Sequence, residues 1–364
     1  MEFVQDDEGI RIVEEYNASI ARKVTFIAGM LIILFAAICI SCSMGGRHVD
    51  VLSIPGLIWD HINGTTYDYP SEIWWDDYIV CDVRLPRVLI ACVAGATLAI
   101  CGTAVQSLMN NPLASPYTLG MSSGADFGAT MAIVMGFSMG TSLGIYGTTI
   151  SAFIFGMVPV VVVLMISKFV RLSPVTLILI GIAISEFFGS MSTLVFIGAD
   201  EGSVEAAYLW SIGDLLNVTW ADFRLMAILM VIGSIILYAM SWKFNVLSLG
   251  EDSAKTMGVD VERFRILMMA LLALMTMSVV AFVGIIGFVG LIAPHMVRYM
   301  IGSDNRFVIP GSMVLGAFVL LAADSIARIC TADAVPVGSV MALIGAPVFL
   351  YLIMRRNSQF KGAW

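Results

Sequence analysis

The chain has 364 residues, of which 59% are hydrophobic and 13% are charged, and its mean hydropathy is +0.93. A soluble domain carries about 25% charged residues, so this composition excludes an ordinary soluble protein and indicates an integral membrane protein. The net charge of -8 also argues against nucleic acid as a partner.

The first 23 residues are polar and are predicted to form a cytoplasmic tail. Asp6, Asp7 and Glu8 precede the first apolar run, which is untypical of a cleavable signal. Apolar runs that are long enough to cross a bilayer then recur along the chain, and they are too long for barrel strands. The predicted fold class is therefore all-α, a polytopic membrane protein with about ten transmembrane helices. The predicted spans are residues 24–43, 88–109, 117–136, 145–166, 174–196, 225–242, 266–283, 285–300, 308–327 and 336–354.

The distribution of basic residues predicts the orientation. If the chain starts inside, five of its 19 lysines and arginines lie in outer segments and fourteen lie in inner segments. Such a bias places both termini in the cytoplasm. Residues 24–354 then form one transmembrane domain, with an extracytoplasmic loop at 44–87, a cytoplasmic loop at 243–265 and a cytoplasmic tail at 355–364. The five outer cations are Arg47, Arg84, Arg87, Arg224 and Arg328.

Two arginines and a proline stand directly before the second span, in VRLPRVL at 83–89. Proline suits a first helical turn, and Arg84 and Arg87 are expected as exposed cations at the membrane surface. The preceding loop, 44–82, is long and carries the aromatic and acidic stretch WWDDY at 74–78. This stretch is either an interfacial anchor or an additional docking or lid element.

The second and third spans are separated by LMNNPLASPYTLG at 108–120. Asn110, Asn111, Pro112 and Pro116 would break the apolar run into two helices joined by a short inner turn. Asparagine side chains can bond backbone groups that the prolines leave free. The turn is therefore either a helix break alone or part of a functional site at the membrane edge.

Two carboxyl groups lie near the middle of predicted spans, Asp126 in the third and Glu186 in the fifth. Ionisable residues at membrane depth are costly and are candidates for a transport pathway. The alternative is a neutral or water-facing carboxyl in the bundle interior. If both carboxyls relay protons, the chain is a cation-coupled secondary transporter. Asp324 and Arg328, spaced i, i+4 near the outer surface, are expected to form a structural pair.

Sequence features that enzymes need are missing. There is no GxxxxGK[ST] loop for ATP and no HExxH, and an intramembrane hydrolase using His295 as base would lack an accompanying nucleophile or metal set. No CxxC pair is flanked by histidine and the other histidines, His48 and His61, are scattered, so no metal site is predicted. A disulfide between Cys81 and Cys330, both on the predicted outer face, is an open alternative.

Five motifs in a fixed order carry a resemblance to a known family. Taken together they resemble the permease subunits of ABC importers for iron-siderophores, haem and vitamin B12, over about residues 83–354. Each motif alone is weak, but the ordered set is specific. The motifs are RLPR at 84–87, GATLAICGTAVQSLMNNPLASPYTLGMSSGA at 95–125, LGEDSAKTMGV at 249–259, GFVGLIAPHMVR at 287–298, and ADSIARI at 323–329 followed by VPVGSVMALIGAPVFLYLI at 335–353.

The resemblance implies a vitamin B12 importer permease-like bundle of ten helices in the plasma or inner membrane, paired with a second copy of itself around a translocation path. Two cytoplasmic ATPase subunits would dock below and an extracytoplasmic solute-binding protein above, with membrane lipid around the dimer. The chain itself would be no enzyme and bind no cofactor, because ATP and Mg²⁺ would be used by the partner ATPase. It would move a metal chelate into the cytoplasm by alternating access.

Three sets of residues are the predicted functional sites. Coupling and docking follow from the resemblance; Asp126 and Glu186 are added from their burial in apolar sequence, where the family has apolar or small residues. The sets are Gly250, Glu251, Lys255 and Gly258 for ATPase coupling; Arg84, Arg87 and Arg328 for docking of the binding protein; and Asn110, Asn111, Pro112, Asp126 and Glu186 for the path and its cytoplasmic gate.

Overall fold

A computed structural model describes residues 7–136, 146–167, 169, 173–330 and 335–361. Every regular element within these residues is a helix, so the predicted all-α class is confirmed. Parts of the two predicted tails, 1–6 and 362–364, lie outside the described residues.

Fifteen α-helices follow one another within the described residues. A π-helical segment, Tyr78–Arg84, joins α3 to α4, and a 3-10 turn, Pro116–Leu119, precedes α5. The α-helices are α1 Asp7–Ser43, α2 Ile54–Ile62, α3 Glu72–Asp77, α4 Leu85–Leu108, α5 Met121–Val134, α6 Gly147–Ile166, α7 Pro174–Ile197, α8 Glu201–Ile212, α9 Trp220–Ala239, α10 Ser241–Leu247, α11 Glu251–Thr256, α12 Val261–Val283, α13 Val289–Ile301, α14 Asn305–Cys330 and α15 Val337–Lys361.

The ten predicted spans correspond to α1, α4 to α7, α9 and α12 to α15. Among the described residues, seven helical stretches are long and apolar enough to cross a membrane, and α13 and the first part of α15 are shorter apolar helices. Helix α5 has 14 residues, which rise only about 21 Å against a hydrocarbon core of about 30 Å. The number ten is therefore approximate, although each predicted span coincides with a helix.

Helix α4 lies at the centre of the bundle, with 89% of its apolar window buried, compared with 11% for α1. Its small residues explain this position, because helices in lipid associate where backbones can approach closely. A Cβ atom on Gly95 would stand 2.3 Å from the carbonyl oxygen of Gly316 in α14, and one on Gly102 would stand 1.9 Å from that of Gly290 in α13. Helices α13 and α14 thus rest directly on the backbone of α4.

The chain is not helical between α12 and α13, at residues 284–288. Irregular backbone at membrane depth is tolerated only when protein satisfies its polar groups. The Tyr117 hydroxyl donates to the Ile286 carbonyl at 3.0 Å, and the Gln106 amide donates to the Gly290 carbonyl at 3.3 Å. These two hydrogen bonds connect the non-helical segment and the start of α13 to Gln106 and Tyr117, which lie on either side of the turn between α4 and α5.

The helix that carries RLPR begins much earlier than predicted, at Glu72 rather than 88. Pro86 lies in the first turn of α4, as expected, and it has no N–H to continue a regular ladder. The backbone before it widens into the π-helical segment, in which the Leu85 N–H donates to the Val80 carbonyl. The outer loop at 44–87 is therefore largely helical rather than irregular.

Candidate functional site

A buried carboxylate joins two of the predicted docking arginines at the ends of α4 and α14 that are predicted to face outward. Asp324 is completely buried, and its Oδ1 accepts hydrogen bonds from Arg87 Nη2 at 2.7 Å and from Arg87 Nε at 2.9 Å. Arg328 Nε lies 3.1 Å from the other carboxylate oxygen. The predicted structural pair of Asp324 and Arg328 is confirmed, and Arg87 completes it as a cluster of three.

The expectation that Arg87 is an exposed cation at the membrane surface is wrong. The side chains of Arg87 and Arg328 are each only 12% exposed, because close packing of α14 on α4 brings Arg87 toward Asp324 and Arg328 lies one turn from Asp324 on α14 itself. Arg328 also donates to the Ser41 hydroxyl of α1. The cluster of Arg87, Arg328 and Asp324 has a net positive charge, because it contains two cations and one anion. The role of the two arginines in docking stays a prediction.

Arg84 is separate from this cluster and is 7% exposed. Its guanidinium donates to the carbonyls of Cys42 at 2.8 Å and Ser43 at 3.0 Å, and also to that of Arg47. The last carbonyls of a helix have no partner within the helix, so Arg84 caps the end of α1. The expectation of an exposed cation is wrong here too, because this capping draws the guanidinium inward.

The predicted coupling residues lie together on the short helix α11 and its flanking turns. Gly250 and Gly258 stand at the two ends of the helix and have φ angles of +108° and +84°, which favour glycine. Lys255 is exposed. Glu251 accepts a hydrogen bond at 2.6 Å from Arg265 of α12, a side chain that is almost completely buried. Helix α11 is thereby attached to the transmembrane helix that follows it.

A second polar network attaches α10 to the bundle, and sequence reasoning missed it. Asn245 of α10 donates to Asp304 at 2.8 Å and accepts from the backbone N–H of Asn305 at 2.8 Å. Asn305 in turn accepts from the Ser107 hydroxyl of α4 at 3.2 Å. Partial burial opposes ionisation of Asp304, but hydrogen bonds from Arg306 and Asn245 outweigh it and lower the pKa of Asp304 to about 2.

The inner turn between α4 and α5 has the geometry of a helix end. Asn110 has a φ of +45°, a left-handed conformation that asparagine tolerates. The side-chain oxygen of Asn111 accepts a hydrogen bond from the backbone N–H of Leu113 at 3.0 Å, and the backbone N–H of Asn111 donates to the Gln106 carbonyl. These contacts support a structural role for the turn, and the predicted role of Asn110, Asn111 and Pro112 at a gate stays a prediction.

The two intramembrane carboxyls have different surroundings. Asp126 of α5 is partly buried and faces α7, where the Ser192 hydroxyl lies 3.5 Å from its Oδ2. Glu186 lies on the exposed face of α7, in line with Ile182 and Ser190 one turn away on either side. The structure therefore does not bring Asp126 and Glu186 into one site, and their role in the path stays a prediction.

The disulfide that the sequence left open does not form. Cys81 and Cys330 are both free thiols, the first buried and the second exposed. Cys81 instead lies close to the side chains of His61 and Asp77.

Comparison with protein families matches residues 31–355 to the FecCD transport family. The chain belongs to this family. It is 38% identical to an ABC transporter permease protein of Methanocaldococcus jannaschii, over 94% of this chain and 98% of the relative. A hemin transport system permease protein of Yersinia pestis is 34% identical over 92% of this chain and 97% of the relative.

The fold of this FecCD permease also matches a solved structure. That structure is described as an inward-facing conformation of a metal-chelate type ABC transporter; the TM-score is 0.79 at 30% identity, over 91% of this chain and 99% of the other. The resemblance found in the sequence motifs is thus confirmed. The cation-coupled secondary transporter gains no support from these comparisons.

Proposed function

We propose that this chain is the transmembrane subunit of a homodimeric ABC importer that carries a metal chelate into the cytoplasm. The observation that supports it most is the construction of α10 and α11, two short helices between two spans, of which α10 is packed into the bundle and α11 is largely exposed. Lys255 and the apolar Leu249 and Met257 are exposed there, whereas Glu251 and Asn245 anchor the pair to the bundle. Exposed residues on an anchored helix can bind a partner protein and transmit its movement to the transmembrane helices.

Force on α11 would reach the bundle by two routes. The Glu251–Arg265 pair leads into α12, and the Asn245–Asn305–Ser107 network leads into α14 and α4. Charged and hydrogen-bonded contacts of this kind resist separation, since breaking one leaves buried polar groups unpaired. Closure of two ATPase subunits on ATP would thus tilt several helices together and change which end of the path is open.

The proposed cargo is a metal chelate such as haem, an iron-siderophore or cobalamin. Support comes from the hemin permease relative and from the metal-chelate type transporter structure. The chain would leave the cargo chemically unchanged, and ATP and Mg²⁺ would be bound by the partner ATPase rather than by this chain.

An extracytoplasmic solute-binding protein would deliver the chelate at the outer ends of α4 and α14. The net positive cluster of Arg87, Asp324 and Arg328 stands there, and its partly exposed guanidinium groups would guide an acidic partner surface. Such charges contribute more to association rate and specificity than to affinity. The protein would lie in the plasma or inner membrane with both termini in the cytoplasm.

Uptake into proteoliposomes tests this function. The chain would be reconstituted with its ATPase and binding protein, and uptake of radiolabelled hemin, ferric siderophore and cobalamin would be measured with and without ATP. We expect ATP-dependent uptake of one cargo, and a several-fold loss of it in Lys255→Glu at unchanged melting temperature, because Lys255 is exposed and makes no buried contact.

Arg224→Glu is the matched control, because it makes the same change of charge in an exposed side chain. Arg224 lies near the beginning of α9, whereas α10 and α11 follow the end of that helix. It should leave coupling intact. Uptake that ignores ATP, follows a pH gradient and disappears in Asp126→Asn or Glu186→Gln would contradict the proposal in favour of secondary transport.

A further inference from the structure

Three side chains that are far apart in the sequence meet in the outer loop. His61 lies near the end of α2, whereas Asp77 and Cys81 lie one turn apart on the helix formed by α3 and the π-helical segment. His61 Nδ1 is 3.0 Å from Asp77 Oδ2 and 3.1 Å from Oδ1. One ligand atom from each of the three residues lies within 4.8 Å of the other two.

The cluster is closed on one side and open on the other. Cys81 is completely buried, the Asp77 side chain is 14% exposed and the His61 side chain is 41% exposed. The backbone at Cys81 is held in place, because its carbonyl accepts from the Trp220 indole at 3.2 Å. An ion could therefore enter past His61 and meet a thiol whose position is already set.

The separations suit a small transition-metal ion. Zinc lies about 2.3 Å from sulfur and about 2.0–2.2 Å from nitrogen or oxygen, so its ligand atoms stand about 3.3–3.7 Å apart in a tetrahedron. Nδ1 and the carboxylate oxygen, at 3.0 Å, would move slightly apart, and atoms separated by up to 4.8 Å would approach by about 1 Å. Rotation about side-chain bonds covers such shifts.

We propose that His61, Asp77 and Cys81 bind a divalent transition-metal ion of the Zn²⁺ type. Imidazole and thiolate select this class over Mg²⁺ and Ca²⁺, which prefer oxygen ligands. Binding would replace the His61–Asp77 hydrogen bond by two bonds to the metal, and the Nδ1 proton of the neutral imidazole would pass to Nε2 through solvent. A metal–sulfur bond would form at Cys81, with release of the thiol proton to solvent. A water molecule would take the fourth position.

The bound ion would connect α2 to the helix that continues into α4. It would thus brace the outer loop beside Arg84, Arg87 and the proposed docking surface. The site is distinct from the transported chelate and does not depend on the proposed transport function, because its three ligands belong to the folded loop of a single chain.

Cobalt binding to the purified full-length chain tests the site directly. The protein in lipid nanodiscs, with thiols kept reduced, would be titrated with Co²⁺ while the absorption spectrum is recorded. We expect one equivalent to produce a thiolate-to-cobalt charge-transfer band that Zn²⁺ abolishes by displacement. The band should be absent in Cys81→Ser, and His61→Gln should weaken binding by at least about tenfold.

Matched variants separate this site from other ligands and from misfolding. Cys330→Ser removes an exposed thiol and His48→Gln removes another histidine of the same loop, and both should retain the band. His61→Gln alters a side chain that is 41% exposed, so its metal-free melting temperature should lie close to that of the wild type. Zn²⁺ should raise the melting temperature of the wild type, Cys330→Ser and His48→Gln, but not that of His61→Gln. A wild-type chain without the band, or a band that survives in Cys81→Ser, would overturn the site whether or not the chain transports a chelate.

Discussion

Asp324 is the one carboxylate that contacts both Arg87 and Arg328, at one end of the bundle, among the residues that the structure describes. It is completely buried between two arginines, each with only 12% of its side chain exposed. Removing one partner of a buried ion pair costs about 3–5 kcal/mol, because the remaining charge has no solvent and no counter-ion. Without the Asp324 charge, Arg87 and Arg328 would be left together without a counter-ion. The fold would be destabilised because both cations are poorly solvated and because they repel each other.

We therefore expect Asp324→Asn to lower the melting temperature of the detergent-solubilised protein strongly. Asp76→Asn is the control, because Asp76 pairs with Arg47 in a more exposed setting where an ion pair contributes about 0–1 kcal/mol. Differential scanning fluorimetry would compare the two variants. Equal melting temperatures for Asp324→Asn and Asp76→Asn would show that the buried cluster does not stabilise the fold.

At the scale of elements, contacts between backbones position the central helix. Gly102 and Gly95 let α13 and α14 approach α4 until no side chain fits between them. This close approach places Gln106 beside the Gly290 carbonyl and Arg87 beside Asp324. The positions of polar groups at both ends of α4 thus follow from the small residues along its length.

Substitution of a single glycine by alanine tests this packing. In Gly102→Ala the new Cβ would lie 1.9 Å from the Gly290 carbonyl oxygen, so α4 and α13 would have to separate, which costs about 1–3 kcal/mol. Gly29→Ala in α1 is the control, since its Cβ would meet nothing within 4 Å and alanine favours a helix. Thermal unfolding should show a clear loss for Gly102→Ala and no loss for Gly29→Ala; the reverse order would refute the packing argument.

At the scale of the whole molecule, α7 presents a polar face that a lone chain cannot place in lipid. Glu186 and Ser190 are exposed there in line with each other, and a charged group at the bilayer centre costs about 2.5–3.5 kcal/mol. A second copy and a water-filled path between the copies would remove this cost. The proposed homodimer thus accounts for a carboxyl that packing within one chain leaves uncovered.

Cross-linking of a single cysteine tests the arrangement. In a chain whose native cysteines are replaced, Ser190→Cys should form a cross-linked dimer with a short thiol reagent in native membranes. Ile32→Cys, which exposes an equally accessible position on α1, should stay monomeric because that face meets lipid. Cross-linking at Ile32→Cys but not at Ser190→Cys would place the dimer contact on another face.

Several features could be predicted from the sequence because they follow from local chemistry. Apolar runs predict spans regardless of their neighbours, the pair of Asp324 and Arg328 follows from i, i+4 spacing, and Gly250 and Gly258 end a helix through their own conformational freedom. The ordered motifs identified the family for the same reason, since each is contiguous in the chain.

Other features were decided only by the tertiary structure. Arg84 and Arg87 read as exposed cations, but their partners lie about 40 and 237 residues away, and nothing near them in the sequence indicates either one. The meeting of His61 with Asp77 and Cys81 likewise required α2 to fold back on α3, although the Asp77 to Cys81 spacing on one helix face was visible as a partial signal.

The sequence by itself therefore determined that this protein is an all-helical membrane permease, where its spans lie and which family it belongs to, because hydropathy and contiguous motifs are properties of short stretches. The tertiary structure alone decided which cations are buried, which helix is central and which ligand atoms meet in the outer loop. The central position of α4 and the burial of Arg87 depend on how closely two backbones approach, and that distance is set by glycines on different helices, such as Gly95 and Gly316, acting together. The ligand atoms meet because α2 packs on the helical segment that precedes α4.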